Sequence, residues 1–137
     1  MHGFQILDHT ADVGIRATGH DLTEAFANAA RGMFSIITDL DTIHRRETHQ
    51  VAVTAPDLEA LLVNWLNELL YRFEVDGLLF VDFTIGSMNE QQLSATCMGE
   101  RVDPQRHSIK TGVKAATYHA LEVSETHPYH VQVILDI

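Results

Sequence analysis

The apolar positions of this chain follow two different periods. Leu22, Ala25, Phe26, Ala29, Ala30, Met33, Phe34 and Ile37 recur at spacings of three and four, which makes one buried stripe of a helix over residues 22 to 37. Asp21 is placed to cap it, and Glu24 three residues on completes a capping-box pattern. A second, longer stripe runs through Leu58, Leu61, Leu62, Trp65, Leu66, Leu69, Leu70 and Phe73. Pro56 suits the first turn of that helix and Asp76-Gly77 ends it.

Elsewhere the pattern alternates or runs β-branched, which predicts strands at 4–7 (FQIL), 13–18 (VGIRAT), 49–55 (HQVAVTA) and 78–85 (LLFVDFTI). Three more are predicted at 92–98 (QLSATCM), 112–123 (GVKAATYHALEV) and 129–137 (YHVQVILDI). The polar stretch GSMNEQ at 86–91 reads as a hairpin turn. An order of β-β-α-β-α followed by strands fits an α+β fold, with two amphipathic helices packed on a largely antiparallel β-sheet. No repeat or linker interrupts it, so residues 1–137 are expected to form a single domain. The segments 38–47 and 99–111 carry no clear period and are expected as surface loops.

Composition narrows the function. Nine Lys and Arg stand against nineteen Asp and Glu, a net charge of -10, and the cations are not clustered. Tight direct binding to a nucleic-acid backbone is therefore disfavoured, whereas an acidic body suits a basic protein partner. The first residues lack the pattern of a signal peptide, and Cys97 is alone, so a cytoplasmic location is expected. The longest apolar runs fall far short of the roughly 20 residues of a membrane helix. A glycine-rich phosphate loop, a zinc-type cysteine pair and a nucleophile elbow are all missing. The nine histidines are scattered, and the pair His127 and His130 reads as surface residues in preference to metal ligands.

Two acidic places remain. Asp8, His9 and Asp12 crowd the handover between the first two strands, where Asp and Thr side chains commonly bond backbone amides and shape a bend. Asp136 interrupts the last apolar strand one residue before Ile137, where a carboxylate at a frayed end would do little. Taken together, two carboxylates and terminal backbone oxygens make an all-oxygen set suited to a hard cation. Sequence spacing does not show whether the two ends meet. Lys114 is a further candidate, a lone strand cation that alternation puts on one face with Ala116, Tyr118, Ala120 and Glu122.

DHTADVGI at 8–15, LTEAFANAARGMF at 22–34, LEALLVNWLNELLYRFEVDGLLFVDF at 58–83, VKAATYHALEV at 113–123 and the terminal LDI occur in one order that resembles the archease family over the whole chain. The resemblance implies an archease-like fold and a non-catalytic activator of an RtcB-type RNA ligase in tRNA splicing and RNA repair. Such a protein promotes guanylylation of the ligase's active-site histidine and its multiple turnover. Residue by residue, it implies a metal site on Asp12, Asp136 and the backbone oxygen of Ile137, holding a divalent cation: calcium, with magnesium or manganese as alternatives. His9 and Lys114 match family positions as supporting or partner-facing residues. Two other readings stay open, a chaperone or modulator of an RNA-modifying enzyme and a small metal-dependent hydrolase with Asp12, Asp136 and His9 around the ion.

Overall fold

A computed structural model describes residues 2–8 and 12–137, with Asp8 described by its backbone alone. His9 lies outside the described residues, so its expected role stays an expectation. Among the described residues, seven strands and two α-helices follow the expected order: β1 (Gly3–Asp8), β2 (Asp12–Gly19), α1 (Leu22–Ile37), β3 (Glu47–Thr54), α2 (Leu58–Asp76), β4 (Leu78–Met88), β5 (Gln92–Arg101), β6 (Ala115–Ser124) and β7 (Tyr129–Asp136).

Both helices begin on an aspartate. The Asp21 carboxylate accepts from the Glu24 amide at 2.9 Å, and Glu24 reaches back to the His20 amide at 2.9 Å, one residue before the cap. Asp57, accepting from the Ala60 amide at 2.8 Å, caps α2, so Pro56 stands just outside the helix and not in its first turn. Gly77 closes α2 in the left-handed region at φ 68°, a conformation that glycine adopts without a Cβ penalty. The hairpin between β4 and β5 is tied by Asn89, whose side-chain oxygen accepts from the amides of Gln91 and Gln92.

The strands form two antiparallel sheets where the sequence pattern suggested one. The first has the order β1-β2-β7-β6 and the second β3-β5-β4. Each helix touches strands of both sheets, α1 along β2 and against β4, α2 along β6 and against β3. The helices thereby bridge the sheets and bury one continuous core around Phe26, Phe34, Trp65, Leu69, Phe80 and Ile15. Trp65 Nε1 donates to the Phe26 carbonyl at 3.0 Å, which satisfies the indole and fixes one helix on the other. At the free edge of β6, Asn67 of α2 accepts from the Ala116 amide at 2.8 Å and faces its carbonyl at 3.4 Å, which covers backbone that an edge strand otherwise exposes. Gly99 is dictated by packing: a Cβ there would lie 1.9 Å from the Leu79 carbonyl oxygen.

Candidate functional site

Strand β7 places the C-terminus in the interior of the first sheet, between β2 and β6. Alternation sends Val13, Ile15 and Ala17 of β2 and Val131, Val133 and Leu135 of β7 into the core. The intervening residues of both strands face outward. On that outer face Asp12 and Asp136 are register partners, four residues along from the pair Arg16 and Gln132, whose side chains hydrogen-bond at 3.1 Å. Residues directly opposite in an antiparallel pair carry their Cβ atoms about 4.5–5.5 Å apart, so the two carboxylates share one small region of the sheet.

The remaining predicted residues converge on this place to different degrees. Ala115 is the β6 partner of Asp136, and the Lys114 amide donates to the Asp136 carbonyl at 2.7 Å. Lys114 is thus attached beside the pair by its backbone, while its side chain is exposed. The face of alternating side chains expected along β6 does not persist past Thr117. The register with β7 shifts between Thr117 and Glu122, and Ala120 takes φ 50° inside that bulge. Ile137 is partly buried against the core.

The donor set fits a hard divalent cation. Asp12 Oδ1 is shielded from solvent while Asp136 is exposed, so the two facing carboxylates offer a cation one inner and one outer oxygen ligand. A divalent cation there would take oxygens from Asp12, Asp136 and the backbone of Ile137, and calcium accepts such mixed carboxylate and carbonyl sets.

A second polar centre was not legible in the sequence. Glu100, 3% exposed, accepts from both terminal nitrogens of Arg106 at 2.7 Å and from the His44 amide at 2.6 Å. His107 Nδ1 accepts from the Asp103 amide at 2.8 Å, which leaves Nε2 as the protonated nitrogen facing Glu100 and the Thr42 carbonyl, each at 3.1 Å. The two-pronged Arg106 contact, aided by the His44 amide, pulls the Glu100 carboxyl down to about 2 against the upward push of burial. The segments 38–47 and 99–111, expected as surface loops, are in fact joined by this buried knot. Its faint signal in the sequence is the acid of GERVDPQRH followed by Arg-His across a proline-containing loop.

The architecture defines a class: an α+β domain of two helices bridging two antiparallel sheets, with a carboxylate pair where the last strand meets the second. Comparison with known proteins gives that class a name, since residues 4–137 match the model of the Archease protein family. The chain belongs to the archease family. A protein archease of Methanosarcina acetivorans is 40% identical over 139 residues, covering 98% of this chain and 95% of the relative. One from Sulfolobus acidocaldarius is 37% identical, with both chains covered in full. The solution structure of Methanobacterium thermoautotrophicum protein 1598 superposes with a TM-score of 0.82 at 37% identity over 100% of both chains. A Thermotoga maritima structure described as an archease and possible chaperone shares the fold, with a TM-score of 0.56 at 17% identity over 100% of this chain and 99% of that one.

Proposed function

We propose that this protein is a non-catalytic activator of an RtcB-type RNA ligase, promoting guanylylation of the ligase's active-site histidine and repeated turnover from a divalent-cation site. The observation that supports the reading is the register of β2 on β7, which makes partners of Asp12 and Asp136, 124 positions apart in sequence. A divalent ion bound there supplies positive charge that a triphosphate-bearing partner site can use. The chain's own part is to hold oxygens in place. β2 and β7 hold the two aspartates in register, the Lys114 amide pins the Asp136 carbonyl, and Ile137 packs partly against the core. Calcium is the favoured occupant because the donors are all oxygen and come from the ends of two strands and the residue that follows one of them, a set more tolerant of irregular geometry than the octahedron magnesium demands. A net charge of -10 suits docking on a basic, RNA-binding surface.

The large exposed apolar side chains Phe4, Tyr71, Val75, Ile109 and Tyr118 are spread over β1, α2, the loop before β6 and β6 itself. Such scatter favours a partner recognised by charge and ion over a chaperone's continuous apolar patch. The test is a guanylylation assay with purified ligase, GTP and divalent ion, with and without this protein. Faster formation of the ligase–GMP adduct supports the reading. An unchanged rate, or a GMP adduct on this chain itself, overturns it.

A further inference from the structure

At the other end of β2, three potential ligands from separate parts of the chain meet. His2 leads into β1, His20 follows β2, and Glu24 lies in the first turn of α1. One donor atom from each falls within 4.8 Å of the others. The cause is register: β1 pairs Gly3 with Thr18, and the Gly3 amide also donates to Thr18 Oγ1 at 3.3 Å, which carries His2 alongside the Gly19-His20 turn. The two imidazole rings lie 3.9 Å apart between centroids, tilted by 59°. Glu24 is held from the other side, since one carboxylate oxygen accepts from the His20 amide and leaves the second available.

We infer that His2, His20 and Glu24 form a binding site for a borderline transition-metal ion of the zinc type, separate from the carboxylate pair at Asp12 and Asp136. Two imidazoles and one carboxylate suit zinc, nickel or cobalt, whereas calcium prefers oxygen donors throughout. A tetrahedral zinc ion with bonds of about 2.0–2.1 Å needs its donors roughly 3.3 Å apart. Both histidines are exposed, so small side-chain rotations bring the donors to that spacing without moving the core. A fourth position is left for water. At about 3.4 Å per residue, β2 separates this site from Asp12 by roughly 25 Å, so the two ions bind independently. The ion would clip β1, an edge strand with a single partner, to the start of α1.

The experiment is calorimetric titration of the full chain with zinc chloride in the presence of saturating calcium. The same titration is run on His2→Gln, His20→Gln and Glu24→Gln, with His44→Gln as a control at an exposed histidine elsewhere. One ion is expected per chain, with affinity at least about tenfold weaker in either histidine variant and unchanged in the control. Zinc should also slow amide exchange across Gly3–Asp8, and cobalt should give the absorption of a tetrahedral site. The two histidines are exposed and Glu24 is half-buried in the first turn of α1, and far-UV circular dichroism checks that each variant is folded. Equal zinc affinity in His2→Gln and His20→Gln, or no stoichiometric binding by the unaltered chain, overturns the proposal.

Discussion

Asp12 and Asp136 face each other across the β2–β7 ladder on the outer side of the first sheet, which joins the start of β2 to the end of β7. Removing either carboxylate separates ion binding from folding. Asp12→Ala is expected to stay folded, because Asp12 is the first residue of β2 and lies outside the apolar core, and to lose both its calcium response and any stimulation of the ligase. Asp136→Asn removes one of two facing like charges. In ion-free buffer it should be as stable as the parent or more so by up to about 1 kcal/mol, while added calcium no longer raises its Tm. The parent should gain about 2.7–4.1 kcal/mol with calcium at 100–1,000 times its Kd. Thermal melts with and without calcium check all three chains.

Deleting Asp136 and Ile137 is a stronger form of the same test. The deletion removes the carbonyl that the Lys114 amide uses and the packing of Ile137 on the core. The truncated chain is expected to fold with a loss of about 1–3 kcal/mol, since β7 keeps its pairing with both neighbours over the rest of its length. Its denaturation midpoint should not respond to calcium. A truncated chain with a full ion response takes Asp136 and Ile137 out of the site.

The Glu100 knot makes its own demand on the fold. Arg106→Ala strips a buried carboxylate of its two-pronged partner and is expected to cost about 3 kcal/mol, read by urea denaturation. The acid limb of the stability curve should carry the same signature. Because the folded carboxyl sits at about 2, below its ordinary value of 4.5, its contribution is present above the unfolded value and is lost as pH falls from about 4.5 towards 2. Glu100→Gln should flatten stability over that interval relative to the parent.

Cys97 is fully buried in β5, and burial pushes its thiol up to about 12. It is therefore expected to resist a thiol reagent at neutral pH in the native protein and to react once urea unfolds the chain. Rapid stoichiometric labelling of the folded protein would contradict its packing.

The local chemistry of this chain was open to reading because it is written in neighbouring residues. The stripes of α1 and α2 obey a period of 3.6, and the cap at Asp21 acts on an amide three residues away, while the cap of α2 falls on Asp57, one residue beyond the expected Pro56 start. Asn89 turns its hairpin through its own two following amides. Family membership was legible for a related reason, since the motifs lie in fixed order along the whole chain. What neighbouring residues do not specify is which strands pair. Alternation marks β7 as a strand but gives no reason for it to lie between β2 and β6, and that placement alone brings Asp136 opposite Asp12 and beside Lys114. The split into two sheets, the burial of Glu100 under Arg106 and His107, and the meeting of His2 with His20 and Glu24 have the same origin. The first two are settled by how the helices fill the space between the sheets, and the third by the register of β1 on β2. Packing is a property of the whole core, and no window of sequence contains it.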